Sequence, residues 1–509
     1  MPPEYLAPGV IIEEIERGPK PIQAVGTSTT AFVGETERGP LKPKLITGYN
    51  EYRRNFGDVF ADGKYMPYAV KGFFDNGGRR CFVTRIVGNG ALAASGNNAG
   101  YTITAVGPGV WGNNIFVRLG PGTTLVGGNP VGFRLQVFHW DSPPAGFTPF
   151  DPVANPDTLP RPSQFSEDFD DLRLEETNPN YWDKRVNNQN SSFVEITVAA
   201  GSALPTGATG FALAGGQPGA VPIKSNYEGS GDTDPPTGLN ALNLDNYREI
   251  AIVHAPYVSD DISMAVTDHC EKNKFRFAVL DSAANIAAYG TLNPRDDIKD
   301  TTFASFYYPW IYITDPKTGT RKKVPPGGFA CGIYARSDNS RGVWKAPANE
   351  TVAGALDLEF DIDHGKQEIL NPRGVNCIRR FPGRGIRVWG ARTLSSDGLW
   401  IYNSVRRLFI FLEHSIYNST QWVVFEPNDH KLWARVKQTV TLFLRTQWRE
   451  GALFGAKEEE AFSVSVGLET MTTDDILNGR LIIEVGIAPV RPAEFVIFRV
   501  FQKTQEAKS

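Results

Sequence analysis

The chain has 509 residues, of which 41% are hydrophobic and 21% are charged, and its formal net charge is −4. This length exceeds what one hydrophobic core usually supports, and the composition is unlike that of disordered chains, so we expect several folded domains. The small net charge gives no general attraction to nucleic acid or to anionic membranes. Any such contact would need a local patch.

The four cysteines, Cys81, Cys270, Cys331 and Cys377, stand far apart without a C-x-x-C pair. This spacing predicts buried thiols rather than a zinc or redox site. The first 20 residues lack a basic segment followed by a long apolar one. No run of about 18 apolar residues occurs either, so we expect cytoplasmic synthesis and no direct membrane insertion.

The N-terminal 88 residues predict an arm followed by part of a compact unit. Val10, Ile11 and Ile12 form a short apolar run between Pro-Gly and Gly-Pro pairs, which indicates one isolated strand within residues 1–20. Residues 21–88 mix strand-like pieces with a helix near residues 67–74.

The next two segments differ in composition. Residues 89–236 are rich in Gly, Pro, Asn, Ser and Thr and contain alternating runs such as Phe133 to Phe138, which predicts an inserted β-rich domain. In residues 237–349 apolar strands alternate with helices, which predicts an α/β domain. A nucleotide-binding enzyme would share this alternation, but the phosphate-binding glycine motifs G-x-G-x-x-G and G-x-x-x-x-G-K-[ST] are absent.

The C-terminal third has the most regular periodicity. Residues 401–416 and 432–448 each place apolar side chains at three- and four-residue steps, which predicts two amphipathic helices. Asn428 is a plausible cap for the second helix. Strand-like segments follow at residues 462–468 and 481–487, and a strongly β-prone run, consisting of Phe495, Val496, Ile497, Phe498 and Val500, lies near the end.

Searches for reactive chemistry give no candidate catalytic, cofactor-binding or metal-binding residues. The six histidines are scattered, and no H-E-x-x-H or G-x-S-x-G motif occurs. Residues 371–394 carry six arginines, which suggests either a nucleic-acid patch or contacts to protein carboxylates. The scarcity of lysine and the shaped Gly/Pro-rich context favour protein contacts.

The terminal strands allow two interpretations. Each strand either completes the sheet of its own domain, which the residues alone favour, or joins the sheet of a neighbouring subunit. An extended arm of 20 residues reaches roughly 65 Å, which is enough to span to an adjacent subunit.

Several long segments are distinctive: YLAPGV (5–10), TGLNAL (237–242), IAIVHAP (250–256), GIYARSDNSRGVWKAPAN (332–349), NPRGVNCIRRFPGRGIRVWGARTL (371–394), QWVVFEPND (421–429) and NGRLIIEVGIAPVRPAEFVIFRV (478–500). These segments resemble the contractile tail sheath proteins of phages, tailocins and extracellular contractile injection systems. The resemblance covers more than half of the chain and is weakest in residues 89–236.

The resemblance implies an α+β multidomain architecture. Its expected parts are a linker arm (1–20), a C-terminal inner α/β sandwich-type core domain (350–490) completed by residues 21–88, an inserted outer β-rich domain (89–236), an α/β middle domain (237–349) and a second linker arm (491–509). It also favours terminal strands that pair between subunits.

The same resemblance implies a structural subunit rather than an enzyme. Stacked rings of the chain would polymerise around an inner tube and contract to drive the tube through a target envelope. The expected partners are the chain itself, the inner tube protein, and baseplate and terminal cap proteins, without nucleic acid. Assembly would occur in the bacterial cytoplasm before the subunit joins a phage tail or a released or anchored particle. Lys431, Arg435 and Arg445 are candidates for facing the tube.

Two alternatives remain open. Besides the contractile sheath subunit, the chain could be a specialised, non-contracting sheath paralogue at a baseplate or cap, or an enzyme built on the α/β domain.

Overall fold

The computed structural model describes residues 21–287 and 289–500. Val10, Ile11 and Ile12 lie outside these residues. The chain divides into two compact units, which we call the body (residues 26–410 and the segment from 491) and the C-terminal unit (residues 411–490 and the segment up to 25). The mixed α/β character with several separate sheets agrees with the sequence-based expectation.

Helices and strands are numbered along the chain. Residues 26–88 contain β1 (Thr30–Gly34), β2 (Lys44–Ile46), α1 (Tyr49–Phe56), α2 (Met66–Asp75) and β3 (Cys81–Arg85). The following segment contains β4 (Ser95–Asn98), β5 (Tyr101–Ala105), β6 (Ile115–Pro121), β7 (Leu125–Val126), β8 (Asn129–Pro130), β9 (Phe133–His139), β10 (Glu167–Leu172), α3 (Trp182–Val186), β11 (Val194–Val198) and β12 (Thr209–Ala212).

The rest of the body alternates helices and strands. It contains α4 (Lys224–Glu228), α5 (Gly238–Ala241), β13 (Ile252–His254), α6 (Asp260–Asn273), β14 (Phe277–Asp281), α7 (Pro294–Asp297), β15 (Ala304–Tyr308), β16 (Ile311–Thr314), β17 (Arg321–Val324), α8 (Gly327–Arg341), β18 (Glu350–Thr351), β19 (Asp357–Leu358), α9 (His364–Leu370), β20 (Val375–Phe381) and β21 (Gly385–Val388). The last elements are α10 (Asn403–Ser419), α11 (His430–Arg449), α12 (Glu458–Ala461), β22 (Phe462–Val466), α13 (Thr473–Leu477) and β23 (Ile483–Ile487).

A nine-stranded sheet forms the centre of the body, in the order β18-β21-β20-β15-β14-β13-β1-β3-β2. The six strands from β20 to β3 run parallel. Strands β1, β3, β14 and β15 are buried at every residue, as parallel strands covered on both faces require. Phe32 faces one hydrophobic cluster with α2 and α8, and its neighbours Ala31 and Val33 face a second cluster with α6.

Close packing of α2 against α8 depends on small residues. A Cβ atom on Gly328 of α8 would lie 2.4 Å from the Cα atom of Ala69 in α2, and one on Gly332 would lie 2.4 Å from the backbone oxygen of Phe73. Backbone atoms cannot rotate away as side-chain ends can. Glycine at these two positions therefore sets the separation of the two helices.

Residues 94–213 form a hydrophobic cluster of their own. Two antiparallel sheets, β10-β9-β6-β12 and β11-β5-β4, supply most of its members. The alternating sequence of β9 appears as strict alternation of buried and partly exposed side chains from Phe133 to His139, so the strand predicted there is confirmed.

In the C-terminal unit, α11 packs on β22, which pairs with β23. The cap of α11 is Asp429, whose carboxylate accepts from the backbone N–H of Leu432 at 2.9 Å. The sequence-based choice of Asn428 is therefore wrong by one residue. Asn428 instead accepts from the indole N–H of Trp433 at 2.7 Å and donates to the backbone oxygen of Arg480.

Strand pairing in the body differs from the domain division expected from the sequence. β1 pairs with both β3 and β13, and β15 pairs with β20. Residues 26–88, 237–349 and 350–388 therefore share one sheet, whereas we expected residues 237–349 to form a separate domain. Parallel pairing joins residues far apart in the chain, which local periodicity does not report.

All four cysteines are free and buried, as predicted. Within the described part of the chain, no helix combines the length and the apolar character needed to cross a bilayer.

We predict that Gly328→Ala destabilises the subunit by about 1–3 kcal/mol, because the added methyl group overlaps the backbone of α2. Urea denaturation followed by tryptophan fluorescence measures the change. Gly365→Ala in α9 is the matched control, since its Cβ atom would meet nothing closer than 3.6 Å. Equal stability of the two variants would contradict the close-packing argument.

Candidate assembly surfaces

The β-prone run near the C-terminus is exposed. Phe498 and Val500 are 86% and 94% exposed, and Phe495, Val496 and Ile497 are exposed as well. The sequence predicts a strand here, but residues 491–500 form none, and no backbone hydrogen bond within the described chain involves them. The segment therefore presents apolar side chains together with unpaired main-chain donors and acceptors.

Glu494, directly before this run, is held by three side chains of the body. Its carboxylate accepts from Arg392 at 2.7 and 2.9 Å, from the Asn371 amide at 2.7 Å and from the Tyr402 hydroxyl at 2.9 Å. Burial alone would raise the pKa of Glu494, but the hydrogen bonds from Arg392 and Asn371 and the positive charge of Arg392 outweigh it and hold that pKa below its usual range. The carboxylate is therefore ionised at neutral pH.

The sheet formed by β22 and β23 has only these two strands among the described residues. Glu484, Val485 and Gly486 of β23 are exposed, and the outer edge of this strand is unpaired in the sheet. Two-stranded sheets are marginally stable on their own. This sheet is therefore a suitable acceptor for a further strand.

One face of α11 is basic. Lys431 and Arg435 are exposed one turn apart, and residues 430–449 contain no aspartate or glutamate. The guanidinium of Arg435 lies 4.6 Å from the ring centroid of Trp422. Arg445 differs from these two, because Glu458 accepts from it at 2.7 and 2.9 Å and neutralises its charge.

Sequence reasoning missed Phe425, in the loop before α11. Its side chain is fully exposed and its backbone φ is +70°, an unusual conformation for a bulky residue. Val424 beside it is also exposed. Four consecutive apolar residues, Trp422 to Phe425, before Glu-Pro and between two helices are the signal that identifies such a loop in sequence. Exposed apolar patches of this kind are typical of contact surfaces.

The arginine-rich segment contacts the chain itself, which agrees with the preference for protein contacts. Arg380 and Arg392 form ion pairs with Asp357 and Glu494. The other arginines donate to polar groups of the body: Arg373 to Gly290, Arg379 to Ile362 and Gln367, and Arg384 and Arg387 to Asn349.

Protein side chains narrow the position where an α/β enzyme would bind its ligand. Ligands of such sheets bind at the carboxyl ends of the strands where the strand order reverses, here between β1 and β13. A Cβ atom added to Gly34, the last residue of β1, would lie 3.0 Å from the Met66 side chain and 3.8 Å from the Tyr227 hydroxyl. These two side chains therefore limit the space at this end of β1.

At the N-terminus of α8, an acidic side chain of the chain itself binds the backbone. Asp281 accepts from the backbone N–H of Gly327 at 2.6 Å, and the His254 ring lies 3.6 Å from the same carboxyl group. Burial, partly opposed by His254, raises the pKa of Asp281. A buried acid thus takes the place that an anionic ligand would need. In the ranges that the structure describes, no group of three His, Cys, Asp or Glu residues is placed to hold a metal ion.

Two family models match the chain. The phage tail sheath protein central domain matches residues 236–394, and the phage tail sheath C-terminal domain matches residues 395–503. Together these matches span more than half of the 509 residues.

Curated relatives with related sequences are tail sheath proteins. The chain is 26% identical to a putative prophage major tail sheath protein of Pseudomonas aeruginosa, over 38% of this chain and 49% of the relative. It is 27% identical to the tail sheath protein of Burkholderia phage BcepMu, over 30% of this chain and 33% of the relative. The chain thus matches about half of these relatives' length or less.

Similar solved structures share the fold over nearly the whole chain. The sheath complex of an extracellular contractile injection system, PVC, in its contracted state has a TM-score of 0.60 at 23% identity, covering 99% of each chain. The contracted helical sheath of the anti-feeding prophage has a TM-score of 0.58 at 23% identity, covering 98% of this chain and 100% of the other. From the matched central and C-terminal domains, the chain belongs to the phage tail sheath protein family.

Proposed function

We propose that the chain is the structural subunit of a contractile sheath, which polymerises helically around an inner tube and contracts to drive the tube through a target envelope. The observation that carries this proposal is the run from Phe495 to Val500, which is apolar, exposed and without backbone partners in the single chain. Such a segment is suited to form a strand when it pairs with another molecule. Family membership supports the same conclusion.

The acceptor of this strand is the β22–β23 sheet of another copy. Donor and acceptor are different surfaces of the chain, so each subunit uses its strand on one neighbour and its sheet on another. Contacts of this head-to-tail kind build rings or open helices rather than closed dimers. A helical sheath is the expected product.

The N-terminal arm adds a second link. Residues 1–20, with Val10, Ile11 and Ile12, supply a short strand to a neighbouring subunit. Where the described chain begins, the backbone N–H groups of Gln23 and Val25 donate to the Ser419 and Ser415 hydroxyls of α10, at 3.0 and 3.1 Å. These bonds fix the base of the arm along this helix.

Contact with the inner tube is made by the basic face of α11. Lys431 and Arg435 are the main contributors, because their charges are exposed and have no acidic neighbour on the helix. Arg445 contributes less, since Glu458 already neutralises it. An acidic tube surface is the complementary partner.

No catalytic step is part of this function. The energy for contraction is the difference between two packings of the same subunits, without cofactor or nucleotide. Other partners are baseplate and terminal cap proteins. Subunits assemble in the bacterial cytoplasm and leave it as part of a phage tail or a related released or anchored particle.

A specialised sheath paralogue is the second candidate, because a chain in the baseplate structure of the anti-feeding prophage also shares this fold, with a TM-score of 0.57. Negative-stain microscopy of the chain expressed alone distinguishes the two. Long hollow cylinders are expected of the main sheath, and single rings or free subunits of the paralogue.

We predict that Ile497→Pro abolishes sheath assembly while the subunit stays folded. Proline removes a main-chain donor and cannot continue an inner strand. In the single chain the Ile497 side chain is exposed and its backbone has no hydrogen-bond partner among the described residues, so the subunit should still fold. Sedimentation and negative-stain microscopy measure assembly, and circular dichroism measures folding.

Ile497→Thr is the control for this substitution, because it keeps the N–H group and a β-branched side chain. Deletion of residues 495–509 should reproduce the proline effect. Normal cylinders from the deletion variant would refute the strand link.

We predict that the double charge reversal Lys431→Glu and Arg435→Glu reduces recovery of inner tube protein with sheath at least about tenfold, since two attractive contacts become repulsive. Co-sedimentation of the two proteins at low salt measures recovery. Cylinders without a tube should still form.

The matched control reverses the exposed charges of Arg161 and Lys184, which lie in the inserted β-rich segment. If both double variants lose the tube equally, or neither does, the assignment of this face to the tube is wrong.

A further inference from the structure

All acceptor sites of the Glu494 carboxylate are in use. We call the three residues that donate to it, Arg392, Asn371 and Tyr402, the cradle. A carboxylate offers about four acceptor sites, and here Arg392 fills two, Asn371 one and Tyr402 one. The ion pair is largely shielded, with Arg392 and Glu494 side chains only 13% and 19% exposed. Charge-assisted bonds in a shielded site are stronger than exposed ones. Glu494 is therefore held far more firmly than an ordinary surface glutamate.

The cradle is itself fixed to the central sheet. The backbone N–H of Arg392 donates to the amide oxygen of Asn376, a fully buried residue of β20, at 2.6 Å. The backbone oxygen of Arg392 accepts from Ser305 of β15 and from Asn376, each at 2.8 Å. Arg392 also forms a β-bridge with Tyr402. Arg392, which makes two of the four bonds to Glu494, is thus fixed to the sheet.

Among the described residues, hydrogen bonding to the body ends abruptly after Glu494. Glu494 has four hydrogen bonds to the body, whereas the next residues, Phe495 to Val500, have exposed side chains and no backbone partners in the described chain. Pro492, two residues earlier, further restricts the backbone. Glu494 is thus the last fixed point before the strand.

We propose that Glu494 is the anchor of the C-terminal arm, a positioning residue that fixes where and in which direction the strand Phe495–Val500 leaves its subunit. This inference rests on the proposed function, because it assumes that the strand pairs with a neighbour. A strand held in one direction loses less conformational freedom on pairing than one on a loose tether. The anchor therefore strengthens assembly without itself contacting the neighbour.

The test compares Glu494→Ala with Glu175→Ala, an exposed glutamate of the inserted β-rich segment, in the full chain. Glu494→Ala should raise the critical concentration for assembly roughly tenfold or more, as expected for the loss of charge-assisted bonds that preorganise the strand. Glu175→Ala should leave it unchanged. The urea midpoint of the unassembled subunit reports any general loss of stability.

A direct readout of arm direction uses spin labels on the unassembled subunit at Phe498→Cys and Glu368→Cys. The four native thiols are buried, so the introduced ones react selectively. The distance distribution should be narrow with Glu494 and broad with Glu494→Ala. Identical distributions would overturn the proposal, even if the variant were less stable.

Charge exchange provides the rescue. In Arg392→Glu with Glu494→Arg, the new guanidinium meets a carboxylate, the Asn371 amide oxygen and the Tyr402 hydroxyl, which can all accept. Each single variant should assemble poorly and the double variant better than either. Failure of rescue together with unchanged distance distributions contradicts the anchor.

Two variants distinguish loss of the strand link from loss of the anchor. Normal assembly after deletion of residues 495–509 refutes the strand link and hence the proposed function. Loss of assembly on that deletion, with normal assembly of Glu494→Ala, refutes only the anchor.

Discussion

Main-chain N–H and C=O groups that are shielded from water need hydrogen-bond partners, and this requirement separates the body of the chain from its exposed C-terminal arm. In the body, nine strands share one sheet whose central strands are buried on both faces. Residues 491–500 have no such partners within the described chain, yet Phe495 to Val500 have the composition of an inner strand. The single subunit thus pairs the main-chain groups of its sheet and leaves those of its arm without partners in the described chain. A subunit that polymerises requires such unpaired groups.

The two kinds of surface differ in what determines their specificity. Strand pairing relies on main-chain groups, so it depends mainly on register and direction and only weakly on side-chain identity. The basic face of α11 relies on charge, which acts at longer range and is weakened by salt. Under the proposed function, these two surfaces have different roles. Main-chain pairing keeps subunits connected, and the charged face holds the tube by contacts that can be released.

Local features were predictable from the sequence, and non-local ones were not. The alternation from Phe133 to His139 identified a strand because its period of two reports burial directly. Pairing of β1 with β13 joins residues more than 200 positions apart, and no periodicity records it. At the start of α11, we expected Asn428 as the cap, whereas the cap is Asp429 and Asn428 accepts from Trp433, a contact that the sequence does not record. Glu494 and Arg392 each look like ordinary surface charges, although Glu494 is the only acid between Glu484 and the β-prone run.

The position of the anchor determines which part of the subunit carries the arm. Residues 488–493 connect β23 to Glu494, so the arm follows the C-terminal unit in sequence, yet the bonds of Glu494 join it to β15 and β20 through Arg392. Because the exposed run begins at Phe495, almost no free tether separates the anchor from the strand. Under the proposed function, a pull on the strand from a neighbour is therefore transmitted through Glu494 and Arg392 to the central sheet of the body. Under the proposed function, the link therefore joins the body of one subunit directly to the acceptor sheet of the next, without a free tether between them.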